Sequence, residues 1–176
     1  MTADWESRVD AVWDEVADLE PDELVRRIDA LAGERDASNA AALFERACAR
    51  DTAGLEAEAE GFYRAALATG ELDPVRYSRA VLQFGSTLRN VGRLDESREL
   101  LESALERSRQ EPDTYRLADE TRAILALTYV ALGRGAEATA HVLMALAPHL
   151  SRYQRSMKAY AEDILADAGT PEDAED

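Results

Sequence analysis

Apolar residues along the chain recur every three or four positions, and no stretch alternates with the two-residue period of a strand. Trp5, Val9, Val12, Trp13 and Val16 fall within about 100° of arc on a helical wheel, with acids on the other face. Pro21 stands where a first helical turn tolerates proline, Leu24, Ile28 and Leu31 continue an apolar stripe, and Gly33 closes that helix. The pattern then predicts a third helix capped by Ser38 and running to Thr52, a turn at Gly54, and a fourth helix ending near Gly70. Asp73-Pro74 reads as cap plus first-turn proline of a long helix stopped by Gly92, and another runs from Leu94 to Gln110. Pro112-Asp113 opens the next, which stops at Gly133, and Ala136 to Ala147 ends before Pro148. Ser151 is expected to cap a last helix carrying Tyr153, Met157, Ile164 and Leu165, and the acidic tail 171–176 to fray. The whole chain therefore reads as helices joined by short turns.

Three helical pairs share one internal pattern. Each has a turn glycine: Gly54, Gly92 or Gly133. At a fixed distance after it comes a small residue (Ala59, Ser97, Ala138), one turn later a larger one (Tyr63, Leu101, Val142), and then an Ala-Leu pair (Ala66-Leu67, Ala104-Leu105, Ala145-Leu146). Close packing of antiparallel helices explains the order. Glycine makes the turn, small residues let the backbones approach, and the large residue fills the gap to the next pair.

This arrangement resembles the tetratricopeptide repeat, a helical pair of about 34 residues with small and large residues at these spacings. The middle unit fits best, through Gly85, Leu88, Gly92, Ser97, Leu101 and Ala104; the third offers Ala126, Tyr129, Gly133, Ala138, Val142 and Ala145. Leu43 to Leu101 is also similar to a small bacterial subgroup of such proteins, in Phe44-Glu45-Arg46-Ala47, Asp51 to Ala59 and Gln83 to Arg93. The first unit departs from the pattern, because Arg46 and Arg50 stand where an apolar and an aromatic residue usually pack. Either nearby acids satisfy them or that helix is rotated against its neighbours. The resemblance implies one all-α domain over 1–170, a right-handed superhelical solenoid of antiparallel helix pairs. It would comprise N-terminal helices in 1–35, three units in 38–150 and a capping helix in 151–168.

Composition narrows what such a solenoid can bind. The chain has 176 residues, 46% hydrophobic and 32% charged, enough for one domain with a real core. A formal charge of −16 argues against nucleic acid and against an anionic membrane surface. One cysteine, Cys48, permits no intrachain disulfide, which fits a reducing compartment. The longest uncharged run, Ala138 to Ser151, is too short and too polar to span a bilayer, and the acidic start Met1 to Glu6 is unlike a signal peptide. A cytoplasmic location is expected.

Nothing in the sequence points to catalysis or to a cofactor. No nucleophile elbow, phosphate-cradling glycine loop or zinc-binding HExxH is present. His141 and His149 are two turns apart with Pro148 between them, which suits surface or packing roles rather than a metal site. Cys48 has no histidine near it in sequence and reads as a small buried residue. Trp5 and Trp13 either cap the repeat stack within the chain or mediate self-association, since a solenoid end needs covering.

The family's packing implies a concave groove formed by the first helix of each pair. Carried onto this chain it takes in Phe44, Cys48 and Asp51 from the first unit, Arg79, Gln83, Ser86, Arg89 and Asn90 from the second, and Ile124 and Leu127 from the third. Two arginines and two amides suit an acidic side chain or a C-terminal carboxylate. The bland alternative has Arg89 pairing with an internal acid and Asn90 capping its helix. The function expected is non-enzymatic protein or peptide binding by an adaptor or scaffold. The alternatives are a structural homodimer whose groove is filled by its own terminal helix, or a small-molecule-sensing subunit.

Overall fold

A computed structural model describes residues 4–111 and 117–168. The expected helix start at Pro112-Asp113 and the fraying tail 171–176 lie outside the described residues. Among those residues are nine α-helices, two short 3-10 turns and no strand. The helices are α1 (Trp5–Asp14), α2 (Pro21–Ala32), α3 (Ala40–Thr52), α4 (Glu56–Ala68), α5 (Pro74–Asn90), α6 (Leu94–Gln110), α7 (Ala118–Ala131), α8 (Gly135–Leu146) and α9 (Gln154–Ala168). The architecture is all-α and tetratricopeptide-like, with successive helices packed as neighbours within α1–α5 and within α6–α9. The chain divides into two compact units, Met1–Val91 and Gly92–Asp176.

In the first unit, α1 and α2 lay their apolar stripes on α3. Trp5, Val9, Val12, Leu24, Ile28 and Ala32 form one buried cluster with Ala42 and Ala49. The Trp5 indole N–H donates to the Leu31 carbonyl at 2.8 Å, and that of Trp13 donates to Glu45 at 2.8 Å. A buried indole keeps its hydrogen bond this way, so both tryptophans anchor the N-terminal helices to their own chain. Glu45 is itself buried, and Arg76 of α5 balances its charge at 3.1 Å while also meeting Glu6 of α1. Arg50 is satisfied by acids: it forks onto Asp29 of α2 at 2.9 and 3.1 Å, reaches Glu58 of α4 at 3.2 Å, and lies 4.5 Å over the Phe62 ring. Arg46 Nε lies 3.3 Å from the same Asp29 without hydrogen-bond alignment. Acids, not a rotated helix, thus account for the first pair's two unusual arginines.

The turn glycines Gly54, Gly92 and Gly133 have φ of 75°, 83° and 76°, a left-handed backbone that a Cβ would strain. Beyond them Ala59, Ser97 and Ala138 are buried, as close helix approach requires. Four details differ from the sequence reading. Gly33 ends α2 in ordinary right-handed backbone, φ −66°. Asn39, not Ser38, caps α3, because the helix starts at Ala40 and only the Asn39 carboxamide reaches the Ala42 N–H, at 3.0 Å. Ser38 instead donates to Asp36 at 2.6 Å. The last helix begins at Gln154; Tyr153 precedes it in left-handed backbone, φ 67°, with its ring 73% exposed.

The fourth difference lies in the second unit. Leu101 and Leu105 of α6 are buried with Leu125, Ala126 and Tyr129 of α7, the packing expected between one pair and the next. Their repeat equivalents on α8, Val142 and Leu146, are 49% and 47% exposed. The reason is the course of the chain after α8. A 3-10 turn through Pro148 and the left-handed Tyr153 lead α9 onto another side of α8, around Ala140 and Ala147.

Candidate functional site

The face of α5 built from Arg79, Gln83, Ser86, Arg89 and Asn90 spans roughly 120° of arc, set by spacings of three and four residues. Helix α5 is held firmly: Asp73 caps it by accepting from the Val75 and Arg76 N–H groups, and Phe84, Val81 and Leu88 bury the opposite side. Arg79 is exposed, and its guanidinium sits 5.2 Å from the centroid of the Phe44 ring. Gln83, Ser86 and Arg89 are half-buried, and Asn90 is exposed.

Phe44 and Cys48 were placed in the groove by family register, yet they are 0% and 2% exposed and offer it no surface. The aromatic stack explains this. Phe44 lies 6.5 Å from Tyr63, and Tyr63 lies 6.0 Å from Phe84, so α4 and α5 close over α3. Cys48 donates its thiol to the Gln83 side-chain carbonyl at 3.3 Å, tying half-buried Gln83 of α5 to α3. Asp51 accepts from the Thr87 hydroxyl at 3.1 Å and the Tyr63 hydroxyl at 3.3 Å, so both its oxygens are engaged inside the protein. Burial raises the Asp51 pKa despite those two donors. Asp51 is therefore a strut between α3, α4 and α5.

Arg79 and Arg89 have no carboxylate partner among the described residues, whereas Arg46, Arg50 and Arg76 of the same unit each meet one. The Arg89 Nε is buried without a hydrogen-bond partner. The internal acid of the bland reading is thus missing, and Asn90 is the last residue of α5, followed by Val91 at the cap position.

In the second unit, Leu127 is 49% exposed and Ile124 half-buried. His141 is buried and stacks on Tyr129, centroids 5.3 Å apart, while exposed His149 meets Asp119 at 3.2 Å. The two histidines thus serve separate contacts. Among the described residues, no group of three or more potential ligands is disposed around a metal position, and no helix is long and apolar enough to cross a membrane. The Trp13–Glu45–Arg76–Glu6 network around buried Glu45 escaped the sequence reading. Its one visible signal is Glu45, an acid in the most apolar stretch of α3.

Among known proteins, the family model described as tetratrico peptide repeat matches residues 40–164, from the first residue of α3 into α9. No curated protein and no solved structure matches the chain. Because the matched span takes in all three glycine-turned pairs, whose small residues are buried at the helix contacts, the chain belongs to the tetratricopeptide repeat family, whose members generally mediate protein–protein interaction without catalysis.

Proposed function

We propose that the protein is a non-enzymatic adaptor that receives an acidic segment or a C-terminal carboxylate of a partner protein on the outer face of α5. The observation that carries this reading is the pair of arginines without carboxylate partners, Arg79 and Arg89, in a chain of charge −16. Their Cα atoms are about 15 Å apart along the helix, the reach of a short extended peptide. The Gln83 and Asn90 amides lie between and beside them. Guanidinium–carboxylate hydrogen bonds are charge-assisted and bidentate, so they reward acid ligands over amides. Phe44 supports the site from below by holding the Arg79 guanidinium on its ring face.

Fluorescence anisotropy with labelled acidic-tail peptides, in free-acid and amidated forms, tests this. The free acid should bind more tightly. Arg79→Glu and Arg89→Glu should each weaken it at least about tenfold, since a charged hydrogen bond contributes roughly 1.5–3 kcal/mol. Equal affinity across both variants would overturn the reading. Arg79 is exposed, so its variant stays informative even if Arg89→Glu perturbs the fold.

A further inference from the structure

Helices α7 and α9 both pack on α8, and a cleft of about 770 Å³ opens between them. The course of the chain after α8 makes this gap. Helix α8 ends in the 3-10 turn Ala147–His149, and the left-handed Tyr153 redirects the backbone. Gln154 then clamps the start of α9 by donating to the Pro148 and Leu150 carbonyls at 3.0 and 2.7 Å. Met144, Ala147 and Pro148 supply the apolar part of the lining. Cations come from both sides: Arg109 at the end of α6 and Arg122 of α7, then Arg155 and Lys158 of α9. The carboxylates among the described lining residues are two, Asp119 and Glu162. In a chain of charge −16 this local surplus of base runs against the balance of the whole.

The pairs these cations make leave most of their donors unused. Arg122 gives one N–H to Asp119 at 3.2 Å, and Asp119 also meets His149. Arg109 with Glu106 at 2.9 Å and Lys158 with Glu162 at 3.7 Å are exposed pairs within one helix, which yield readily to a ligand's charge. Arg155 is exposed and has no carboxylate partner among the described residues. Besides burial, Arg122 and Arg109 both push down the pKa of His141, so the charges from α6 and α7 act on one place.

We infer that the cleft binds a small aliphatic dicarboxylate, one end held by Arg109 and Arg122 and the other by Arg155 and Lys158, with its hydrocarbon along Met144 and Ala147. The volume is that of a small-molecule site. Guanidinium forks accept carboxylates bidentately, and apolar lining between two cationic sides suits an anion whose charges are separated by a hydrocarbon chain. A single phosphate would engage one side alone. No aromatic ring lines the cleft, so nothing in it selects a nucleobase. The site also stands apart from the groove of the family register, since neither Ile124 nor Leu127 lines it.

Isothermal titration calorimetry of the full chain with succinate, glutarate, adipate and suberate should show saturable binding that is tightest at one chain length. Hexanoate and inorganic phosphate should each bind at least about tenfold more weakly than that optimum, because each engages one side of the cleft. Arg122→Gln and Arg155→Glu should each weaken the optimal dicarboxylate by a similar factor. Arg155 is exposed, and glutamate suits a first helical turn, so its variant decides the matter if Arg122→Gln loses helicity. Arg79→Glu should leave the binding unchanged, which separates this site from the face of α5. Saturation should also raise the His141 pKa followed by NMR, because the bound anion offsets Arg122 and Arg109. No saturation by any of the four diacids up to about 1 mM overturns the inference, as does equal affinity for hexanoate or phosphate. Binding that survives Arg155→Glu, or that is lost in Arg79→Glu, places the anion elsewhere and equally overturns it.

Discussion

At Cys48 the thiol is enclosed by Tyr63 and Gln83, and burial, with Glu45 nearby, pushes its pKa up to about 12. Only the thiolate reacts, so iodoacetamide at neutral pH should leave the native protein unlabelled and modify it fully in denaturant. Labelling that is fast without denaturant would contradict the packing of α3. His141 makes a second residue-scale prediction. Burial and the neighbouring Arg122 hold its pKa down at about 4, against 6.5 in the open chain, with Glu102, Arg109 and Glu137 also near. As pH falls through 6.5 the unfolded chain takes up a proton that the folded protein refuses until about 4. The stability due to neutral His141 is complete above 6.5 and is lost between those values, by at most about 3 kcal/mol. Urea midpoints measured from pH 7 to 4.5 should fall more steeply for the wild type than for His141→Phe, which keeps the stacking on Tyr129 and cannot titrate.

At the scale of the element, the small residues beyond each turn glycine set how closely paired helices approach. Ala59 is fully buried where α4 meets α3, so Ala59→Leu should destabilise the protein by about 1–3 kcal/mol through overpacking. An unchanged denaturation midpoint would show that the repeat register is misplaced. Helix boundaries were largely legible because their signals are local. Asp73-Pro74 caps and starts α5, and three glycines take the left-handed turn their position demanded. Where the outcome depended on contacts distant in sequence, periodicity said less. It could not show that Asp29 would neutralise Arg50, or that Phe44 and Cys48 would be covered by Tyr63 and Phe84. Nor could it show that Tyr153 would turn α9 away and leave Val142 open, since repeat register assigns Val142 the same role as the buried Leu101.

For the whole molecule, charge and helix packing together direct what can be recognised. An excess of acids over bases, net −16, makes Arg79 and Arg89 a local exception on α5. The cleft between α7 and α9 belongs to the other unit. The most direct test of the central claim, that α5 binds carboxylates through these arginines, is an NMR titration of the isotope-labelled protein. It would follow the arginine Nε–H signals as an acidic C-terminal peptide is added. The Arg79 and Arg89 signals should shift first and saturate together, while those of Arg50 and Arg76, already held by internal acids, stay in place. Saturable binding that leaves Arg79 and Arg89 unmoved would contradict the claim.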